Sequence, residues 1–247
     1  MARRRVDELL VERGLAPGLA EARALVMAGT VIAGERRVDK AGERLRPDEV
    51  LRLRPRRGHA FVSRGGLKLD GALAAFGVDP SGAVCLDLGA STGGFTDCLL
   101  QHGARRVYAV DVGYGLLDWR LREDARVVVL ERVHAAELTR VQVPEPIDLL
   151  VADISFNSLS RLLAPVRPLL AESATTVLLV KPQFELAAEQ VGEGGVVRDP
   201  ALWAQACAQV EAAVREAGLH PVGLERSSIK GSRGNVEFLL CARTAPA

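Results

Sequence analysis

Short apolar segments recur through residues 83–242, and most are separated by stretches with the apolar spacing of helices. The predicted strands are residues 83–90, 106–113, 126–130, 147–154, 175–182, 221–227 and 235–242, and the predicted helices are residues 66–77, 93–102, 157–170 and 200–217. Strands that are apolar on both faces are typical of a parallel sheet with helices packed on each side. The alternation therefore predicts an α/β fold with a doubly wound, mostly parallel, Rossmann-like sheet.

Residues 1–59 have a different pattern, which predicts a separate small domain. Helical spacing over 5–14 and 18–28 is followed by short β-type pieces, and Pro and Gly interrupt residues 55–62. We therefore expect an α+β domain over residues 1–59, a linker at 55–62 and the α/β domain over 60–247.

The two predicted domains differ in charge, although the whole chain carries only +1. Residues 1–59 hold 14 Lys and Arg against 9 Asp and Glu, which gives +5, and the remaining residues hold 18 against 22, which gives −4. A small basic module indicates an anionic partner, and a solvated charged surface is the alternative.

Composition narrows the cellular context. No apolar run reaches the length of about 18 residues that a bilayer-spanning helix needs, and the basic N-terminus lacks the apolar segment of a secretion signal. The four cysteines lie far apart without a CxxC motif, which disfavours disulfides and zinc. We expect a cytoplasmic protein with no membrane segment and no metal.

Lysine is rare in this chain. Only four of the 32 basic residues are lysines, namely Lys40, Lys68, Lys181 and Lys230. A desolvated lysine can lose its proton, whereas a guanidinium keeps its own. The lysines retained among so many arginines are candidates for proton chemistry, and Lys68 and Lys181 are the foremost of them.

A glycine-rich turn follows the first strand of the large domain. It matches neither GxGxxG nor GxxxxGK[ST], so a dinucleotide site and a P-loop are disfavoured. Acids at the ends of the first two strands suit a ligand with an amine and a ribose, as in S-adenosylmethionine. The predicted cofactor-binding residues are Asp87, Gly89, Ala90, Ser91, Thr92, Gly93, Gly94, Phe95, Asp111, Val112 and Asp153.

Two later strands also end in ionisable residues, Asp153 and Lys181. The carboxyl ends of neighbouring parallel strands form one crevice, so these two side chains should share a site. Lys68 lies on the helix before the first strand, and Glu237 lies inside a late apolar strand. A buried Glu needs a partner, but the sequence does not pair these residues.

In this order the motifs resemble a known family. Lys68, Asp153, Lys181 and Glu237 are similar to the K-D-K-E tetrad of 2′-O-ribose RNA methyltransferases of the FtsJ/RrmJ type. The strings SRGGLKL, DLGASTGGFTD, VDVGYG, VADISF, KPQFE, GGVV and GNVEF are similar to the TlyA family of rRNA 2′-O-methyltransferases, which are often labelled haemolysins. The basic segment resembles an S4 RNA-binding domain, so the resemblance covers nearly the whole chain.

The resemblance implies S-adenosylmethionine-dependent methylation of a ribose 2′-hydroxyl in ribosomal RNA. It makes Lys181 the base or hydroxyl-orienting amine, with Asp153 and Glu237 orienting Lys181 and Lys68. Ribosomal RNA and ribosomal subunits are the implied partners. The residues expected to hold RNA phosphates are Arg3, Arg4, Arg5, Arg23, Arg36 and Arg37.

Two departures from the family pattern bear on these expectations. Residues 131–134 read Glu-Arg-Val-His where the family usually has an Asn, which leaves the adenine contact open, and Phe61 stands where Trp is common. The alternatives are methylation of a different RNA or atom, a haemolysin, and a ribosome-associated RNA-binding protein without catalysis. The target nucleotide, the ribosomal subunit and the oligomeric state stay open.

Overall fold

The computed structural model describes residues 3–27, 29–53, 60–155, 158–231 and 233–244. The chain divides into two compact units, residues 1–59 and residues 60–247. Most of the predicted linker, residues 55–59, lies outside the described residues. Within the described ranges, no helix is both long enough and apolar enough to cross a membrane.

The first unit combines two helices with two small sheets. Its elements are β1 (Arg4–Arg5), α1 (Val6–Glu12), α2 (Leu19–Met27), β2 (Val31–Ala33), β3 (Arg36–Arg37), β4 (Arg44–Leu45) and β5 (Leu51–Leu53). Strand β2 pairs antiparallel with β3 and β5, and β1 pairs antiparallel with β4. The two-residue strands β1 and β4 were not predicted, because so short a segment shows no alternation.

A small apolar core and one buried acid hold this unit together. Leu9, Leu10 and Val26 are almost fully buried. The carboxylate of Asp7, which is inaccessible to solvent, accepts hydrogen bonds from Arg5 and Arg23. The hydrogen bond from Arg5 lowers the pKa of Asp7 to about 2. An ionised Asp7 therefore ties α1 to α2 and to the preceding strand.

The second unit is a seven-stranded sheet with helices on both faces. Its elements are α3 (Arg64–Phe76), β6 (Val84–Leu88), α4 (Gly94–Gln101), β7 (Arg106–Asp111), α5 (Trp119–Arg122), β8 (Val127–Glu131), β9 (Ile147–Ala152), α6 (Ser160–Val166), β10 (Leu170–Val180), α7 (Pro182–Glu185), α8 (Pro200–Glu216), β11 (His220–Arg226) and β12 (Phe238–Arg243). The strand order is β11-β12-β10-β9-β6-β7-β8. Strand β12 is antiparallel to both neighbours, and the other pairs are parallel.

Alternate residues of the central strands enter two separate cores, one on each face of the sheet. In β6, Leu86 and Leu88 pack into one core and Cys85 into the other. All five residues of β6 are buried. The predicted α/β fold with a doubly wound, mostly parallel sheet is confirmed.

The structure differs from the sequence prediction at several element ends. Strand β10 begins at Leu170 rather than at residue 175, because the helix before it passes into a 3₁₀ turn at Pro168 and stops. The segment 183–199, which lies between the predicted strand 175–182 and the predicted helix 200–217, contains the end of α7 and two 3₁₀ turns. The predicted strand 235–242 begins at Phe238, because the carbonyl of Asn235 accepts from the N–H of Gly231 in a turn.

Candidate active site

The glycine-rich turn packs directly against the end of β9. Gly89 has φ +79°, and a Cβ there would lie 2.7 Å from the carbonyl oxygen of Asp153. The backbone N–H of Asp153 in turn donates to the carbonyl of Leu88 at 3.0 Å. Only glycine satisfies both the conformation and the clearance at position 89.

Asp111 fixes the shape of this turn. Its Oδ2 accepts from the N–H of Ser91 at 2.8 Å, and its Oδ1 accepts from the N–H of Gly113 at 2.7 Å. Ser91 has φ +48°, an uncommon conformation for a residue with a side chain. Each carboxylate oxygen keeps a lone pair for a further donor, so Asp111 can hold the turn and accept from a ligand hydroxyl.

A cavity of about 270 Å³ opens beside Asp111, and we call it the cofactor cavity. Its apolar lining includes Val112, Leu116, Ile154 and Leu162, and its polar lining includes Asp111. A flat heterocycle would lie between the apolar side chains while its ribose hydroxyls face the acid. These residues fit the adenosyl part of S-adenosylmethionine.

His134 stands in the segment where the adenine contact was left open, and it lines the cofactor cavity. Its Nδ1 accepts a hydrogen bond from the N–H of Ala136 at 3.2 Å. An imidazole that accepts at Nδ1 can donate from Nε2 to a ligand. Glu131, in contrast, accepts from the N–H of Gly115 and pairs with Arg122, so its role is structural.

Asp87 occupies a different place from the one predicted for a ligand contact. It is completely buried behind the turn and accepts from Thr96 Oγ1 at 2.6 Å. Its Oδ1 has no hydrogen-bond partner among the described residues. Burial raises the pKa of Asp87 to about 7. This carboxyl supports the turn and the first turn of α4 from behind.

A second cavity, of about 290 Å³, contains the four tetrad residues, and we call it the tetrad cavity. Nζ of Lys181 lies 2.5 Å from Oδ1 of Asp153 and donates to Oγ of Ser155 at 2.9 Å. The cavity shares Gly89, Ser91 and Asp153 with the cofactor cavity. A group beside Lys181 would therefore lie next to a ligand in the cofactor cavity.

Lys68 and Glu237 form the second ion pair of this cavity, with Nζ and Oε2 2.6 Å apart. Ser63 caps the N-terminus of α3 by accepting from the N–H of Gly65, which places Lys68 one turn inside the helix. Glu237 is 3% exposed. A Cβ at Gly231 would lie 2.3 Å from a Glu237 oxygen, so position 231 leaves room for the acid.

The remaining residues of the predicted cofactor set lie along the same turn. Ala90, Thr92, Gly94 and Phe95 line the tetrad cavity, and Gly93 is the N-cap of α4. The N-terminus of α4 thus borders the tetrad cavity, where its free N–H groups favour a polar ligand.

Six residues that line the tetrad cavity were not among the predicted site residues, namely Ser63, Arg64, Gly65, Ser155, Lys230 and Gly231. Arg64 donates to the carbonyl of Lys230 at 2.9 Å, and both side chains are exposed. Lysine scarcity was the available signal, since three of the four lysines line this cavity.

Two further side chains explain motifs that had no assigned role. Glu185 accepts from Ser158 Oγ at 2.5 Å and from the N–H of Leu159 at 3.1 Å, and burial raises its pKa. It therefore fixes the start of α6. The Asn235 amide accepts from the N–H of Val197 and donates to the carbonyl of Gly195, which holds that loop beside β12.

One group of possible metal ligands lies outside these cavities in the described part of the chain. Ligand atoms of Asp70, Cys98 and His102 lie within 4.8 Å of one another. His102 and Asp70 pair at 2.8 Å, and these residues connect α3 and α4.

The arginines predicted to hold RNA have acidic partners within the first unit. Arg4 pairs with Glu12 at 2.7 Å, Arg36 with Glu43 at 2.5 Å and Arg37 with Asp39 at 2.7 Å, all at exposed positions. Arg5 and Arg23 instead pair with the buried Asp7. Exposed pairs contribute little free energy and can exchange for phosphates, whereas the pairs with Asp7 support the fold. Arg3 is exposed and has no acidic partner among the described residues.

Comparison with known proteins places the second unit. The family model of FtsJ-like methyltransferases matches residues 61–244. The chain belongs to this family. Its tetrad, Lys68, Asp153, Lys181 and Glu237, stands within the matched range, and the predicted methyltransferase class is confirmed.

Relatives of this methyltransferase match over nearly its whole length. The 16S/23S rRNA (cytidine-2′-O)-methyltransferase TlyA of Mycobacterium tuberculosis is 47% identical over 245 residues, 99% of this chain and 91% of the relative. Hemolysin A of Brachyspira hyodysenteriae is 34% identical over 95% of this chain and 98% of its own. The resemblance to the TlyA family, including its haemolysin names, is confirmed.

Solved structures agree with this placement. A proposed hemolysin from Streptococcus thermophilus is 38% identical and superposes with a TM-score of 0.74, covering 100% of this chain and 90% of that one. An S-adenosylmethionine dependent methyltransferase from Mesorhizobium loti, 18% identical, gives a TM-score of 0.52 over 70% of this chain and 96% of that one. The second likeness shows the shared fold of the large unit.

Proposed function

We propose that this protein transfers a methyl group from S-adenosylmethionine to the 2′-hydroxyl of a cytidine in ribosomal RNA. The observation that carries the proposal is the tetrad cavity. It brings Lys181 to 2.5 Å from Asp153 and Lys68 to 2.6 Å from Glu237, next to a cavity suited to an adenosyl group. The cytidine and the ribosomal RNA follow the name of the Mycobacterium tuberculosis relative.

S-adenosylmethionine is the methyl donor, and it supplies a methyl group already activated on a sulfonium. The protein therefore has two tasks, which are to position the ribose hydroxyl and to remove its proton. The Lys181 ammonium first releases a proton to solvent, and the neutral amine then orients the hydroxyl and takes up its proton at Nζ. Asp153 lies close enough to stabilise the ammonium that forms, and Ser155 accepts one of its hydrogen bonds.

Lys68, on α3, and Glu237, directly before β12, help to position the ribose. Their ion pair is almost fully buried, with side-chain exposures of 11% and 4%. Two lysines and two acids balance the charge of the cavity, which avoids an unpaired buried ion. On the donor side, Asp111 binds the ribose hydroxyls of the donor, and Gly89 lets the donor approach the backbone.

The first unit anchors the RNA in this proposal. We assign residues 1–59 to an S4-like RNA-binding domain and residues 60–247 to the methyltransferase domain. The net charge of +5 on residues 1–59 attracts phosphates. Arg3, Arg4, Arg36 and Arg37 are the contacts, while Arg5 and Arg23 keep the domain folded through Asp7. We infer a cytoplasmic location, because ribosomal RNA is the proposed substrate.

Mapping of 2′-O-methyl groups on ribosomal RNA tests the proposal. RNA from cells with the gene, without it, and with a Lys181→Arg copy is compared at every position that resists alkaline cleavage. We expect one or more cytidines to be methylated only with the wild-type gene. Identical maps in all three strains would overturn it.

A further inference from the structure

A third cavity adjoins the tetrad cavity. It has a volume of about 250 Å³, and we call it the side cavity. It shares Ser155, Lys181, Gly231 and Glu237 with the tetrad cavity, and Ser155 also lines the cofactor cavity. Lys181 thus borders both the tetrad cavity and the side cavity.

The side cavity contains a hydrogen-bond acceptor that lacks a donor. Gln183 lines the cavity, and its Oε1 is buried with no hydrogen-bond partner among the described residues. Buried polar atoms are nearly always paired in proteins. Rotation about the last torsion of a glutamine is soft, so this amide can turn to meet a donor on a bound molecule.

The other walls suit a flat ring. Phe184 offers an aromatic side chain, Val191 an apolar one and Arg233 a planar guanidinium. The loop that carries Gly195 into this wall is held by two hydrogen bonds to the Asn235 amide, at 2.9 and 2.8 Å. The side cavity is therefore a fixed part of the fold, with ring-sized surfaces around one polar group.

The cofactor and side cavities offer separate places for a methyl donor and a base, since Ser155 is the one residue that lines both within the described part of the chain. A ribose whose 2′-hydroxyl reaches Lys181 would have the donor beside Asp153 and its own base within reach of the side cavity. Unpaired RNA bases are recognised by stacking on aromatic or guanidinium groups and by hydrogen bonds to their pairing edges, and enzymes that act on a base enclose it in this way.

We infer that the side cavity receives the base of the target nucleotide and that Gln183 reads its pairing edge. The inference rests on the proposed function, since it places the base relative to a ribose at Lys181. Cytosine presents an exocyclic amino group, which donates to the Gln183 oxygen, and a ring nitrogen, which accepts from the amide N–H. Gln183 is thus a specificity-determining residue, separate from the proton chemistry at Lys181.

A double-mutant cycle between protein and RNA tests this contact. Semi-synthetic ribosomal RNA, assembled into subunits, carries at the mapped position either cytosine or 2-pyrimidinone, which lacks the amino group. Methyl transfer is measured with wild-type protein and with Gln183→Met, which keeps the side-chain length and removes the acceptor. Gln205→Met, at an exposed glutamine on α8, is the matched control.

With wild-type protein we expect loss of the amino group to lower kcat/KM ~10-fold, the usual size for leaving one buried acceptor unpaired. Gln183→Met should lower kcat/KM on cytosine by a similar factor and lose all sensitivity to the amino group. Its affinity for S-adenosylmethionine, measured by calorimetry, should equal that of wild type. Gln205→Met should retain the wild-type difference between the two bases.

Additive penalties, or wild-type rates for Gln183→Met on cytosine, would overturn the inference while leaving the proposed function intact. If Gln183→Met misfolds, Gln183→Glu decides, because it retains an acceptor and should retain sensitivity to the amino group. Loss of that sensitivity in Gln183→Glu would count against the contact. Absence of any ribose methylation by wild-type protein would remove the proposed function, and this inference with it.

Discussion

The buried carboxyl of Asp87 should make the large unit less stable as the pH rises. Burial raises the pKa of Asp87 to about 7 in the folded protein, from 3.8 for the free side chain. A group with a raised folded-state pKa stabilises the fold below its unfolded pKa, and this contribution is lost as the pH rises through the folded pKa. The relevant window for wild-type protein is therefore pH 4 to 7.

The change to examine is Asp87→Asn, which imitates the protonated acid and can still accept from Thr96. At about 1.4 kcal/mol per pKa unit, the difference between 3.8 and about 7 corresponds to a loss of about 4 kcal/mol in wild-type protein. The variant has no such loss. Its free energy of unfolding should exceed that of wild type by about 3 kcal/mol more at pH 8 than at pH 5.

Tryptophan fluorescence in a urea titration measures the free energy of unfolding of the second unit. Both tryptophans, Trp119 and Trp203, lie within residues 60–247, so the first unit does not contribute to the signal. Asp79→Asn, at an exposed acid that bonds the N–H of Ser81, is the control and should show no such trend. A stability difference between Asp87→Asn and wild type that stays constant from pH 5 to 8 would refute the reasoning.

Three further predictions concern the donor, the proton and the RNA. Lys181→Arg should lower methyl transfer ~10²-fold or more in a radiolabel assay, because the guanidinium cannot take up the proton; near-normal turnover would eliminate Lys181 as the base. Gly89→Val should abolish S-adenosylmethionine binding in calorimetry with the circular dichroism spectrum retained, because its side chain meets the Asp153 carbonyl; unchanged binding would make the turn purely structural. Replacing Arg36 and Arg37 with Ala should weaken RNA binding and lower the slope of log affinity against log salt by up to about two, and an unchanged slope would show that neither contacts phosphate.

Much of the large unit follows from local pattern. Apolar runs at β6, β7 and β9 define the sheet, because each strand is buried on both faces. The approach of Lys181 to Asp153 also follows, since β9 and β10 are adjacent and parallel and therefore end at the same edge. The residues at the ends of adjacent parallel strands can thus be predicted from the sequence to lie close together.

The directions of side chains and the pairing of residues far apart in the chain were harder to predict from the sequence. Asp87 stands at a strand end like Asp111, but it points to the opposite face from Leu86 and Leu88 and is enclosed by α4. No local pattern joins Lys68 to Glu237, because α3 and the segment before β12 meet only in the folded domain. The acidic partners of the arginines predicted to bind RNA could not be foreseen, because tertiary contacts bring them together, as at Asp7.

The close packing of the glycine-rich turn on the end of β9 links the part of the site that binds the methyl donor to the part that handles the proton. Backbone atoms of residue 153 bond Leu88 on one side and abut Gly89 on the other, so the peptide that carries the Asp153 carboxylate is also a wall of the donor's turn. No flexible side chain lies between them to absorb a displacement. A substitution that shifts the turn will also move the acid that steadies Lys181, and donor affinity and turnover should then fall together rather than one at a time.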